Sequence, residues 1–150
     1  MDPALLEATV AACEELLRIR FPDVNDEQGA AAMLLADGTI LTGTAPAVAV
    51  AAVEVCHETE PFCAAYRLNQ AIVASVCLHR QPSGRTVVLS PCGLCRERLA
   101  VHGPDVLVAV ANPHDPTSIV WKRLHEVLPD YWMRAFPDEI DARWCANPPP

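Results

Sequence analysis

The chain has 150 residues and a mass of 16.2 kDa. That is the size of one ordinary domain over 1–150, since two domains of half the length would each lack a proper core. Hydrophobic residues make up 51% and charged residues 20%, which excludes a disordered or fibrous chain, and no apolar run approaches the roughly 20 residues of a membrane helix. With 19 acidic residues against 11 Lys and Arg, the formal net charge is -8. Such a surface repels a phosphate backbone and argues against polymeric nucleic acid as a partner. The opening Met1-Asp2-Pro3, with Glu7 close behind, has no basic stretch ahead of an apolar core and does not read as a secretory signal. A cytoplasmic protein is expected. Its seven cysteines are odd in number and argue against a disulfide framework.

In chain order, Leu6, Val10, Cys13 and Leu17 recur at steps of three and four and predict an amphipathic helix from Ala4 to Arg20, with Asp2-Pro3 as its start signal. The apolar run Gly29 to Leu35, the turn dipeptide Asp37-Gly38 and Thr39 to Thr42 predict a β-hairpin. Thr44 to Val53, nearly all Ala and Val around Pro46, reads as a buried connection. Phe62, Ala65, Tyr66, Asn69, Ile72, Val73 and Val76 fall at helical steps and predict a second helix. Thr86 to Leu89 reads as a short buried strand, and Ser90-Pro91-Cys92-Gly93 turns into a third helix through Ala100. Val106 to Ala111 reads as another buried strand and Ser118 to Leu128 as a last helix. The tail, about 146–150, ends in three prolines and is expected to fray. Cys63 and Cys77 lie among apolar neighbours and read as small buried hydrophobes. Strands alternating with helices in the second half indicate an α/β sheet covered by helices.

Two short segments carry chemistry. Cys56-His57-Glu58 lies just ahead of a predicted helix, and Pro91-Cys92-Gly93-Leu94-Cys95 joins a strand to a helix. Cys92 and Cys95 are three apart, so at a helix start both sulfurs point the same way. Cys56 completes a three-thiolate set, for which zinc is the best match, and a helix N-terminus favours thiolate over thiol. Three protein ligands leave a fourth position open to water, the mark of catalytic zinc. A structural site would need a fourth ligand from Cys63, His57 or His102, none at regular spacing. Glu58, two residues past Cys56, can stand beside the bound water without ligating and move protons.

These segments, [HC]-x-E followed by P-C-x-x-C, are the signature of zinc nucleobase and nucleoside deaminases. The chain resembles the cytidine deaminase family, including the blasticidin S deaminases. The resemblance extends to the Gly-Ala-Ala strand before Asp37-Gly38, to Leu41-Thr42-Gly43, to Arg96 after the last cysteine, and to Leu128-Pro129 followed by Phe136. It implies a three-layer α/β/α fold around a five-stranded mixed sheet, zinc on Cys56, Cys92 and Cys95, Glu58 as proton shuttle, and a homotetramer. It also implies a C-terminal segment reaching toward a neighbour's site, where Phe136 could cover the substrate or simply pack.

The resemblance weakens at the sugar. The family's Asn-x-Glu, which holds the ribose hydroxyls, falls on Ala45 and Ala47, and its aromatic before the first strand falls near Glu27. The Arg that often follows the catalytic Glu and offsets the thiolate charge is Thr59, with Arg96 and the helix ends as candidates to compensate. His57 replaces an Ala, and it either enters the substrate pocket or packs away from it. Pro61 removes a backbone donor early in the second helix. The expected function is a hydrolytic deaminase of an aminopyrimidine base or nucleoside-like substrate with non-standard sugar recognition. The alternatives are a deaminase of a blasticidin-type antibiotic or other aminated heterocycle, and a catalytically silent zinc-stabilised binding module.

Overall fold

The computed structural model describes residues 1–146. Helix α1 (Pro3–Arg20) starts as its sequence predicts: Asp2 accepts from the Ala4 amide, and proline occupies the first turn, where a missing donor costs nothing. Strands β1 (Gln28–Leu35) and β2 (Ile40–Gly43) form the expected hairpin, with Gly38 at φ 88° in the turn. Helix α2 (Thr59–Arg67), β3 (Ile72–Arg80), β4 (Thr86–Val88), α3 (Gly93–Ala100), β5 (Leu107–Asn112), β6 (Asp115–Arg123) and α4 (Leu124–Val127) follow. A 3-10 turn (Trp132–Ala135) and the short helix α5 (Arg143–Ala146) close the described chain. Ala146 belongs to α5, and the rest of the tail expected to fray lies outside the described residues.

The sheet runs β2-β1-β3-β5-β6, a mixed five-strand path in which only β3 and β5 pair in parallel. This is the α/β architecture and sheet that the resemblance implies. One edge of β3 is taken by β1 along its length, so β4 and β5 share the other edge, β5 at Ala74–Ser75 and β4 at Leu78–Arg80. Each sheet face buries its own core, because alternate strand residues point to opposite sides. Ala30, Ala32, Val76 and Leu78 pack against Cys13 and Leu17 of α1, whereas Met33 and Leu35 pack with Ala65 of α2 and Leu99 of α3. Each fully buried Leu or Met contributes about 1.5–3 kcal/mol over its exposed state. Among the described residues, no helix is long and apolar enough to cross a membrane.

Four sequence expectations are corrected. The second helix stops at Arg67, and Ile72 to Val76 form β3 instead. Asn69 takes a left-handed conformation (φ 53°), and the Gln70 amide reaches back to the Ala65 carbonyl, a Schellman-type closure that helical spacing across 62–76 does not reveal. The segment Ser118 to Leu128 is mostly strand, since β6 pairs antiparallel with β5 through Val110 and Val120 and leaves four helical residues in α4. Ile119, Val120 and Trp121 are strand formers, and their pairing overrides the helical spacing. Thr44 to Val53 is not a buried connection: beyond Ala45 it is exposed and holds only a 3-10 turn at Ala51–Val53. Cys77 is buried as expected, but Cys63 is exposed.

Candidate active site

The site forms where α2 and α3 begin. Cys92 is the N-cap of α3 and Cys95 lies in its first turn, so three-residue spacing puts both sulfurs on one side. The chain entering α2 brings Cys56 to them. The Thr59 amide donates to the Cys56 carbonyl, and Pro61 is accommodated because the first helical turn has unpaired amides in any case. Sγ of Cys92 stands 3.3 Å from Sγ of Cys56 and 3.5 Å from Sγ of Cys95. The three sulfurs lie within 4.8 Å of one another.

Among the described residues, no other His, Cys, Asp or Glu joins that cluster. His102 is engaged elsewhere: its Nδ1 accepts from the Ile72 amide and its ring meets Phe62 edge-on. Cys63 lines a neighbouring cavity. Three soft donors at mutual contact distance, with no fourth protein ligand, suit a tetrahedral zinc with one open position. The thiols do not share one electrostatic setting. Burial pushes Cys95 up, and the Glu58 carboxylate adds to that. Burial also raises Cys56. At Cys92 burial is outweighed by the first-turn amide of Cys95, the neighbouring thiols and the Leu94 amide, and its pKa falls, as expected at a helix N-terminus.

Glu58 is only 5% exposed. Ser75 Oγ of β3 donates to Glu58 Oε1 at 3.0 Å, which fixes the carboxylate plane and leaves Oε2 without that bond. Burial raises the Glu58 pKa, against the lowering effects of Cys95, Ser75 and the Arg98 charge. A carboxyl displaced upward this way holds a proton more readily than an exposed one, which suits a group that carries protons.

His57 lies against the strand. Its ring covers Gly29 of β1, where any Cβ would collide with the imidazole, and its Nδ1 accepts from the Ala45 amide at 3.0 Å. Burial and the nearby His79 lower its pKa, consistent with a neutral ring that accepts at Nδ1. Thr44 completes this tie: its hydroxyl donates to the Gly29 carbonyl at 2.6 Å, and its amide donates to Glu60 Oε2 at 3.0 Å. The segment carrying Ala45 and Ala47 is therefore held in place by its own backbone and by His57 and Glu60.

Ala45 and Ala47 line a cavity of about 760 Å³ together with Phe21, Asp26, Gln28 and Glu60. Val55 and Thr59, the residues flanking the Cys56–Glu58 segment, also line it, whereas Cys56, Glu58, Cys92 and Cys95 do not. Phe136 is not among its lining residues: it follows the C-terminal 3-10 turn, is about half exposed, and meets Trp132 edge-on. Arg96 Nη1 donates to the Val127 carbonyl at 2.6 Å. Arg98 and Glu97 are both engaged. Arg98 Nη1 donates to Thr59 Oγ1 at 3.0 Å, and Glu97 accepts from Tyr131 and Trp132. Sequence reasoning missed Ser75, Arg98 and Phe21. Ser75 alone left a signal, a single hydroxyl in the apolar run Ile72 to Leu78. The contacts of the other two depend on chain segments far apart in sequence.

No protein-family model matches the sequence, and no curated protein matches it significantly. Solved structures do. The crystal structure of the cytidine deaminase from Bacillus anthracis superposes with a TM-score of 0.82 at 34% identity, over 93% of this chain and 97% of that one. The cytidine deaminase from Mycobacterium tuberculosis matches at 30% identity over 71% of this chain and 79% of that one, with a TM-score of 0.55. The Mycobacterium leprae cytidine deaminase matches at 25% identity over 83% and 93%, with a TM-score of 0.58. With this likeness over nearly its whole length and a three-thiol cluster open on its fourth side, the chain belongs to the cytidine deaminase family of zinc-dependent hydrolases.

Proposed function

We propose that the protein hydrolytically deaminates an aminopyrimidine nucleoside or a nucleoside-like relative, and that it reads the sugar differently from its family. The observation that carries the deaminase reading is Glu58, buried and oriented by Ser75, beside three thiols that no fourth ligand joins among the described residues. A silent binding module would have no use for a carboxylate kept there at the cost of burial.

Cys56, Cys92 and Cys95 would hold the zinc, which when bound lowers the pKa of a water molecule to near 7. Glu58 takes a proton from the attacking water at Oε2 and gives it to the ring nitrogen next to the amine-bearing carbon. As the carbon–nitrogen bond breaks, Glu58 takes the second proton from the hydroxyl now on that carbon, which becomes the carbonyl, and passes it to the departing amine, so one water is consumed and one ammonia released. Ser75 holds Oε1 throughout and keeps the carboxylate from rotating away.

The sugar reading rests on Ala45 and Ala47, methyl-bearing residues on the cavity wall where the resemblance places two hydroxyl-binding side chains. Each hydroxyl left without a partner in a buried site costs about 1–3 kcal/mol, so a standard ribose gains little from that wall. Asp26, Gln28 and Glu60 supply polar groups in the same cavity. They favour a substrate whose sugar is modified, as in a blasticidin-type antibiotic, over one that depends on the two lost contacts. Cytidine, 2′,3′-dideoxycytidine and cytosine compared in one ammonia-release assay test this. Loss of the ribose hydroxyls is expected to change kcat/KM by less than about tenfold, the scale of one such contact. A preference for intact cytidine of about a hundredfold or more would show that the hydroxyls are still read.

The family resemblance also supports a homotetramer. Leu94, Val101 and Trp132 are exposed in the single chain, apolar surface of the kind that subunit contacts cover. Light scattering at micromolar concentration is expected to give about four times the chain mass, and a monomer would remove any role for Phe136 at a neighbour's site. Seven free thiols suit a reducing cytoplasm.

A further inference from the structure

We infer that Arg98 is a positioning residue of the metal centre, supplying through Thr59 the positive charge that the thiolates and Glu58 require. The inference rests on the assignment of Cys56, Cys92, Cys95 and Glu58 given above. Zinc held by three thiolates carries one excess negative charge, and an ionised Glu58, only 5% exposed, adds another beside it. Uncompensated charge is expensive there. A cation nearby stabilises the thiolates, favours metal retention and limits the repulsion that Glu58 feels.

The structure offers few candidates. Arg96 follows the last ligand directly and keeps its charge, but its Nη1 donates to the Val127 carbonyl and its buried Nε has no partner among the described residues, so none of its hydrogen bonds ties it to the ligand segments. His57 is held as a hydrogen-bond acceptor by the Ala45 amide, so it brings no charge. Arg98 differs from both. It leaves α3 one turn after Cys95, and its Nη1 reaches Thr59 Oγ1 at 3.0 Å. Thr59 adjoins Glu58 and donates its amide to the Cys56 carbonyl, so this one hydrogen bond ties the Arg98 guanidinium to the turn that carries both a ligand and the proton carrier. Its charge is also among the influences that reach Glu58. Thr59 has only a neutral hydroxyl, and it lines the cavity, so a longer, charged side chain has room there. The cation thus stands on α3 and is delivered across the helix pair, and an arginine placed at 59 should be able to take over.

The test uses the full chain loaded with zinc. Zinc affinity is read by competition with a chromogenic chelator, with circular dichroism as the check on folding. Arg98→Met keeps the aliphatic stem and helix propensity but removes the charge. It is expected to bind zinc about tenfold more weakly, the lower end of the range for groups that support metal ligands. Arg98→Lys should retain most of the affinity, and Thr59→Arg combined with Arg98→Met should restore it to within about threefold of wild type. Thr59→Val, which cuts the tether and leaves the charge, should weaken zinc binding by a smaller factor and covers the case that Arg98→Met fails to fold. Wild-type zinc affinity in both Arg98→Met and Thr59→Val overturns the inference. Cys92→Ala is measured alongside: if it loses zinc while the Arg98 and Thr59 variants do not, the inference alone falls. If Cys92→Ala also retains zinc, the ligand assignment falls with it.

Discussion

Glu58→Gln is expected to fold, keep its zinc and lose at least about a hundredfold in turnover, the usual scale for removing a general acid or base. Glutamine is nearly isosteric, and its amide oxygen can still accept from Ser75 in place of Oε1. It cannot take a proton from water or return one to the leaving amine. The substitution also removes a carboxylate that is only 5% exposed and costly to keep charged, so stability should hold or rise slightly while activity collapses. Ammonia release and metal analysis on the same sample separate the two effects. Activity within about tenfold of wild type would mean that another group moves the protons.

Cys92→Ala should reduce zinc from about one per chain to a small fraction at comparable free metal. Cys92 is the thiol in contact with both of the others, at 3.3 and 3.5 Å. It is also the one whose surroundings favour the thiolate. Its loss leaves two sulfurs, too few to hold zinc against competing ligands. The side chain is exposed and belongs to neither core cluster, so the apo variant should keep its secondary structure by circular dichroism. Full zinc retention would exclude Cys92 as a ligand.

The clustering of the three thiols and the placing of Glu58 next to them were legible because local spacing decides them. Cys92 and Cys95 sit one helical turn apart on α3, and Glu58 is two residues from Cys56, so a linear motif already states most of the geometry. The hairpin β1–β2 was legible for the same reason, through Asp37-Gly38. Where local periodicity competed with tertiary pairing, the sequence misled. Ile72 to Val76 and Ser118 to Arg123 show helical spacing, but the αL turn at Asn69 and the β5 partner make strands of them. The Thr44 to Val53 segment reads as buried from its composition, yet among the described residues Pro46 to Val53 are exposed. His57 shows the same limit at the site. Whether it entered the pocket turned on Gly29, a residue 28 positions earlier whose missing Cβ leaves room for the imidazole. The Ser75–Glu58 and Arg98–Thr59 bonds join β3 to α2 and α3 to α2, and no one-dimensional spacing connects them.

Removal of ammonia from an aminopyrimidine at this zinc site is the activity on which the other expectations depend. Steady-state ammonia release tests it most directly, measured on zinc-loaded protein with cytidine, deoxycytidine, cytosine and blasticidin S, and with Glu58→Gln beside the wild type. Release is expected from at least one of them, proportional to bound zinc and reduced by at least about a hundredfold in Glu58→Gln. No release from any of the four by protein carrying a full complement of zinc would contradict it.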